Sequence, residues 1–513
     1  MSTECDRPDP LTKAMDSIEV DEIVVRKVTV TDTKNWFKYR YVMQFLVFYA
    51  MFLVYAMRVN LSITIISMVN RSAIAPVNIN NVSDECKLFN SSKIHQEDGP
   101  YVWNEAIQGY ILNAFFVGYI ITQIPGGYMA DMFSVKWVFG YGIFLTSVLT
   151  LLSEAAVHIH VIAFIALRVL EGVCEGVTYP SLYALCARWS PVAERSWMAG
   201  IANLGTIIGT VVAIPVSALL SNSSWKWASV FYVFGSLGVI WSLLWYLLAT
   251  STPEKCRWMS DEEKSYIINT RGVLSFDSQS RRKIPWMSLL TSRAVWIISF
   301  CKLTNSFIFY IFLTEIPNYL HYIFLYPIEK NSWINSAAYT SDAIVALISS
   351  WTADLLISRN PSRITTVRKW YECSAQFLGA LTIFLIPFCH CNYKLVVALL
   401  ILNSAVNGLT AGGNIAVPID IGPAQAGAIQ GFANTVANIA GIIGPLLVGS
   451  LTKNNETFEA WNTVFFITAA VSLTGAIVFF FWGTAEVQKW ASNDDEATIL
   501  VSEDENQKRH HSD

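Results

Sequence analysis

The sequence predicts an all-α membrane protein with twelve spanning helices arranged as two bundles of six. Three observations carry that prediction. Twelve mostly apolar runs approach the roughly 20 residues that a bilayer-crossing helix needs. The 513 residues are 53% hydrophobic and only 14% charged, where a soluble chain carries about a quarter charged residues. Motifs of the first half also return in the second half at a shared offset.

The apolar runs centre near Tyr55, Gly118, Leu145, Gly172, Gly209, Leu237, Phe309, Leu347, Leu381, Asn403, Ile442 and Ala470. Those around Gly118, Gly209 and Ile442 are rich in small residues, which lets helix backbones approach closely. The longest hydrophilic interruption, 251–292, divides the runs six and six. It contains SDEE at Ser260–Glu263, a capping box that predicts a short surface helix. The expected division is a tail at 1–39, a six-helix bundle at 40–250, a linker at 251–291, a second bundle at 292–485 and a tail at 486–513. The 18 tryptophans suit the aromatic belts of a membrane interface.

Orientation follows from the loops. RNPSRITTVRK at 359–369 is basic, and so is the linker, with Lys255, Arg257, Lys264, Arg271, Arg281, Arg282 and Lys283. Twelve spans put both segments on one side, together with both termini, and the positive-inside bias makes that side cytosolic. The glycosylation sequons at Asn81, Asn90, Asn222 and Asn455 all fall on the opposite face. Residues 1–39 are polar, so no cleavable signal peptide is expected.

The repeat is legible in short motifs. YMAD ending at Asp131 returns as WTAD ending at Asp354, Pro191 returns as Pro423, and Ala202-Asn203 returns as Ala433-Asn434, at offsets of 223–232 residues. Each falls at the equivalent place in its half. Two six-helix bundles related by a repeat imply alternating access around a site between them.

The fourth run poses the sharpest physical question. RVLEGVCEGVTYP at 168–180 carries Arg168, Glu171 and Glu175 within apolar sequence. At about 100° per residue, their spacing sets all three on one stripe of a helix. Facing lipid, they would cost on the order of 8–10 kcal/mol together. Arg168 is placed to neutralise Glu171 one turn on, which leaves Glu175 either protonated or paired elsewhere. Arg58, in YAMRVNLSI, has no acidic neighbour in sequence. It reads either as a buried structural arginine or as an anion clamp, because a planar guanidinium offers a fork to carboxylate or phosphate. Tyr55, Phe115, Tyr119, Asn305, Phe309 and Tyr310 are expected to line the interface between the halves around these charges. No histidine sits in a predicted helix core, which argues against a histidine proton relay.

Several classes are excluded. No basic stripe suggests nucleic acid, and no nucleophile–base set or cofactor motif suggests an enzyme. The nine cysteines show no metal-ligand spacing and no disulfide framework. Cys174 and Cys186 read as small buried hydrophobes, and Cys389 and Cys391 are too close together for an easy bridge. The expected partners are a small anionic substrate and the lipid bilayer, with the monomer as the working unit and no cofactor beyond a coupling proton or sodium ion.

With these residues in view, the chain resembles the major facilitator superfamily. GGYMADMFSVK at 126–136 is similar to its signature loop, with Ser134 in place of the usual glycine and Lys136 where arginine is common. More narrowly it resembles the anion–cation symporter branch, which includes sialin, vesicular glutamate transporters and sodium/phosphate cotransporters. The segments that carry this are RVNLSITIISMVN (58–70), AFFVGYIITQIPGGY (114–128), EGVTYP (175–180), WSPVAERS (189–196), FYVFGSLG (231–238), IPW (284–286) and DIGP (420–423). The resemblance implies the major facilitator fold, substrate binding by Arg58, and proton coupling through Glu171 and Glu175 beside Arg168. Asp131, Glu194 and Arg195, at cytosolic loop junctions, together with Asp354, are expected to make gate or interbundle contacts. Glutamate-transporting relatives carry histidine and arginine where this chain has Leu112 and Asn305, and glutamine at the position of Glu171, so glutamate loading is not expected. The readings left open are proton-coupled transport of organic anions such as acidic sugars or carboxylates, sodium-dependent phosphate cotransport, and a transport-inactive receptor or scaffold. The membrane is expected to be the plasma membrane or a lysosomal or vesicular one, and DDEATIL, ending at Leu500, resembles an acidic dileucine sorting signal.

The topology makes a direct prediction. Glycosidase treatment is expected to increase the mobility of the full-length protein, mainly through Asn81 and Asn90. An unshifted band, together with terminal tags reached from outside intact cells, would mean that the orientation is inverted.

Overall fold

The computed structural model describes residues 38–70, 99–221, 223–271, 284–312, 316–324, 328–452 and 457–491. The sequons at Asn81, Asn90, Asn222 and Asn455 and the DDEATIL segment lie outside the described residues. Among the described residues there is no strand, only one isolated bridge between Val69 and Tyr101.

In the first half the helices are α1 (Tyr39–Met68), α2 (Glu105–Met132), α3 (Val135–Leu151), α4 (Ser153–Ile159), α5 (Val161–Glu175), α6 (Thr178–Trp189), α7 (Arg195–Ser221) and α8 (Ala228–Leu248). A connecting segment carries α9 (Asp261–Thr270) and α10 (Trp286–Thr291). The second half holds α11 (Arg293–Tyr310), α12 (Ile316–Phe324), α13 (Ile328–Arg359), α14 (Ile364–Leu385), α15 (Tyr393–Asn407), α16 (Val417–Ile421), α17 (Ala426–Asn438), α18 (Ala440–Thr452) and α19 (Phe458–Trp482). All twelve expected centres fall on helix.

Among the described residues nine helices are long and apolar enough to cross a membrane, or ten if α3 and α4, bent by 46°, form one span. The other two expected segments are helical but broken. One divides into α5 and α6 at Gly176–Val177 and carries Arg168, Glu171 and Glu175. The other holds α11 and α12, with residues 313–315 between them outside the described residues. Outward-facing Leu243, Leu247, Ile348, Phe384 and Phe481 are exposed, as helices solvated by lipid chains require.

Close backbone contact sets the site. α2 and α5 cross where Gly118 and Gly172 meet: a Cβ at Gly172 would stand 2.0 Å from the Phe115 carbonyl oxygen, and one at Gly118 would stand 2.0 Å from that of Val169. This crossing brings Phe115 and Tyr119 against the helix that carries Glu171 and Glu175. The core of the first half gathers around Trp189, Trp241 and Trp245. Two of these indoles are satisfied by backbone: Trp241 Nε1 donates to the Leu46 carbonyl (3.0 Å) and Trp245 Nε1 to that of Lys136 (2.9 Å).

The connecting segment is tied to the first half. Ser260 Oγ accepts from the Glu263 amide (3.3 Å), as the capping box predicts. The Glu263 carboxylate in turn accepts from the amides of Tyr39 (2.9 Å) and Arg40 (3.1 Å), and so caps the first turn of α1. Arg271 pairs with Glu254. Burial works to raise the Glu254 pKa, but its hydrogen bonds, chiefly from Arg271, hold it below the ordinary value.

One expectation is corrected. Cys391 is disulfide-bonded, and the other described cysteines are free, so its partner lies outside the described residues. Cys391 sits in the turn between α14 and α15, beside His390 with φ 43°, at the end of the fold opposite Tyr39. Sequence spacing gave no sign of this pairing because the partner comes from a distant segment.

The α2–α5 crossing is testable. Gly172→Val is expected to abolish monodisperse protein in size-exclusion chromatography, since the clash is with backbone and no side chain can yield. Gly109→Ala, which meets nothing within 4 Å, is the silent control.

Candidate functional site

A cavity of about 220 Å³ lies between the two halves. Tyr55, Arg58 and Tyr119 line it from the first half, and Asn305, Phe309 and Tyr310 from the second. Phe115 is placed differently. It is 1% exposed and lies behind the cavity wall, with its ring centroid 4.9 Å from the Arg58 guanidinium and 5.4 Å from that of Arg168.

Arg58 is held by an ion pair and by aromatic rings. Its Nε and Nη2 donate to Glu175 Oε1 at 2.9 and 2.5 Å. The guanidinium lies 4.4 Å from the centroid of Tyr119 and 4.6 Å from that of Tyr55, positions in which a ring face stabilises a cation. Both bonds go to one carboxylate oxygen, and among the described residues Glu175 Oε2 is buried without a hydrogen-bond partner. Arg168 Nη1 donates to Glu171 Oε2 at 2.5 Å, and Ser153 Oγ to Oε1 at 3.4 Å. The two glutamates that one helix places on a single stripe thus have two different arginines, one inherited from α1. No local sequence pattern announces that second pairing.

The second half brings ionisable groups that the sequence analysis did not single out. Lys302 lines the cavity, with Nζ donating to Gln430 Oε1 (2.8 Å) and lying 5.1 Å from the Tyr183 centroid. Glu372, fully buried, accepts from Asn305 Nδ2 (2.8 Å), Gln376 Nε2 (2.8 Å) and the Asn414 amide (3.1 Å). The amide nitrogen of Asn305, though at the cavity wall, is therefore committed to Glu372. Asp342 also lines the cavity. An ionisable residue within an apolar run was the cue for Glu171 and Glu175, and the same cue marks FCKLTN, YTSDAIV and WYECSA.

The halves are latched at the end of the fold that holds Tyr39. Asp354 accepts from the Ser196 and Trp197 amides at 3.1 and 2.7 Å. Asp131 accepts from the Gly427 and Ala428 amides at 3.1 and 2.7 Å. Each aspartate ends the second span of its half and caps the first turn of a helix in the other half, where free amides and the helix dipole favour an anion. Asp420 joins Arg195 Nη1 (3.3 Å) to Arg368 Nε (2.9 Å), and Arg368 Nη1 reaches Ser196 Oγ at 2.5 Å. The ion pair of Glu194 stays within the first half, to Arg40 at 2.9 Å. Asp420 and Arg368 stood in the DIGP and RNPSRITTVRK segments, but only tertiary contact joins them. Nearer the cavity, Asn434 Nδ2 donates to Gln123 Oε1 at 3.1 Å across the same interface.

Comparison with known proteins identifies the family. The chain matches the Major Facilitator Superfamily over residues 47–445, with a second match over 332–503. Sialin from Homo sapiens is 37% identical over 459 residues, covering 89% of this chain and 91% of the relative. Vesicular glutamate transporter 1 from Xenopus tropicalis is 32% identical over 456 residues, covering 88% and 76%. Among solved structures, the proton:xylose symporter XylE bound to 6-bromo-6-deoxy-D-glucose shares the fold, with a TM-score of 0.64 at 13% identity over 87% of this chain and 98% of that one. The relatives are transporters and not enzymes. The chain therefore belongs to the Major Facilitator Superfamily, in the family of sialin and the vesicular glutamate transporters.

Proposed function

We propose that this protein moves small organic anions across a membrane in symport with protons, by alternating access, with Arg58 as the anion-binding group and Glu175 as the proton carrier. The observation that carries the reading is the buried Arg58–Glu175 ion pair at the cavity wall. An anion reaching the Arg58 fork displaces Glu175. Breaking a buried pair leaves an uncompensated charge at a cost of about 3–5 kcal/mol. A proton on the unpartnered Glu175 oxygen removes that cost.

The charge arithmetic then couples the two cargoes. Empty, Arg58 and Glu175 sum to zero. With anion and proton both bound they again sum to zero. With the anion alone the site is negative, with the proton alone it is positive, and a net charge is costly to carry through a closed, dry intermediate. Arg168 keeps Glu171 as a fixed neutral pair beside this exchange. A pH gradient supplies about 1.4 kcal/mol per unit, enough to accumulate the anion about tenfold.

The side bearing the latches is read as cytosolic, with both termini there, so this conformation is closed to the cytosol. A disulfide at Cys391 on the other side suits an oxidising exterior or lumen. The cavity lies within one chain, which favours a working monomer.

Uptake into proteoliposomes, with labelled anions under separate proton and sodium gradients, tests this reading. Arg58→Lys keeps the charge but loses the fork, and is expected to abolish uptake at normal expression. Glu175→Gln is expected to retain exchange of anion across the membrane and lose proton-driven accumulation, with Glu171→Gln milder. Wild-type uptake that ignores pH and requires sodium would contradict the proposal.

A further inference from the structure

Asp342 lines the cavity and departs from the pattern of the buried carboxylates Glu171, Glu175 and Glu372. Glu175 has Arg58, Glu171 has Arg168, and Glu372 is enclosed by three donors. Asp342 is 8% exposed and faces the cavity from α13. Its one hydrogen bond among the described residues is a long one, 3.4 Å from Asn407 Nδ2, and no cation pairs with it. Among the described residues, the two cations that line the cavity are engaged elsewhere, Arg58 with Glu175 on α5 and Lys302 with Gln430 on α17. The backbone at this position is closely packed: a Cβ on Gly408 would stand 2.5 Å from the Asp342 carbonyl oxygen.

A carboxylate removed from water without a counter-charge is strongly disfavoured. The disfavour grows when the cavity also receives an anion at Arg58. The wall nearby is aromatic, with Tyr339 one turn before Asp342 and Phe309 and Tyr310 on α11, which suits a cation and does not suit a second anion.

We infer that Asp342 binds a monovalent cation that enters together with the anion: either the ammonium group of a zwitterionic, amino-acid-like substrate or a free sodium ion. This inference rests on the reading of Arg58 as the anion site. It adds a second, oppositely charged subsite contributed by the other half of the protein. A ligand that bridges the two subsites ties the halves together, so the substrate itself assists closure of the cavity.

The test uses full-length protein in proteoliposomes and matched labelled acids that differ only in amino against hydroxyl: alanine and lactate, aspartate and malate, glutamate and 2-hydroxyglutarate. The second arm measures hydroxy-acid uptake with sodium replaced by choline at constant ionic strength. An ion pair with a bound cation is worth about tenfold. The expected result is therefore a preference of about tenfold, for the amino acid in the first arm or for sodium in the second. Asp342→Asn is expected to bring uptake of the preferred acid, or uptake in sodium, down to the level of the unpreferred condition, and Asp342→Glu keeps part of the preference. If Asp342→Asn does not fold, thermal unfolding of the wild-type protein with the same solute pairs is the readout, and preferential stabilisation by amino acid or sodium is the supporting result. The inference is overturned if the wild type shows neither preference, or if Asp342→Asn keeps it; the carboxyl is then carried protonated. Those outcomes, with uptake still dependent on Arg58, leave the anion reading intact. Failure of every acid to show Arg58-dependent uptake overturns both.

Discussion

Everything in the cavity depends on the cost of an unbalanced charge in a low-dielectric interior. Arg58 and Glu175 sit 2.5 Å apart, with Glu175 sealed from solvent and Arg58 nearly so. Either residue alone at that depth would destabilise the protein by several kcal/mol. Together they are tolerated, and their mutual dependence makes the pair responsive to any ligand that brings a charge of its own. The aromatic rings of Tyr55, Phe115 and Tyr119 around the guanidinium keep it charged without supplying a second carboxylate. On the proposed reading, an anion arriving at Arg58 would compete with Glu175 alone.

The same reasoning governs the latches. Asp131 and Asp354 hold helix N-termini of the opposite half through paired amide bonds of matching length. Such bonds use the positive end of a helix where a lysine or arginine side chain would otherwise be needed, and they part cleanly because water can replace them. The triad of Arg195, Asp420 and Arg368 is sealed more deeply and costs more to open. Glycines at the latch let the backbones meet: a Cβ at Gly127 would stand 2.3 Å from the Gly427 carbonyl oxygen. The two repeats thus cap one another across the interface with paired amide bonds.

How much of this the sequence disclosed follows from the physics of each signal. The helical class and the positions of the spans were legible because bilayer burial writes itself as composition. The repeat was legible in Asp131 and Asp354, and so was the Arg168–Glu171 pair, since one helical turn is a local spacing. The partner of Glu175 was not, because Arg58 lies 117 residues earlier and only the packing of α1 on the first bundle joins them. Phe115 was expected at the interface and instead stands behind Arg58, since helix periodicity gives a face but not a depth. Lys302, Asp342 and Glu372 carried the right cue, but each is the single charged residue of its short motif, FCKLTN, YTSDAIV or WYECSA, where 168–175 shows three together. Cys391 shows the same limit for covalent pairing.

The central claim is that anion binding at Arg58 frees Glu175 to take a proton. Calorimetric titration of the purified protein, with a transported anion, in buffers of differing ionisation enthalpy measures the protons taken up per anion bound. The account predicts about one proton per anion for the wild type at a pH where the Arg58–Glu175 pair is ionised, and none for Glu175→Gln. Anion binding without proton uptake in the wild type, or equal uptake in the variant, would contradict it.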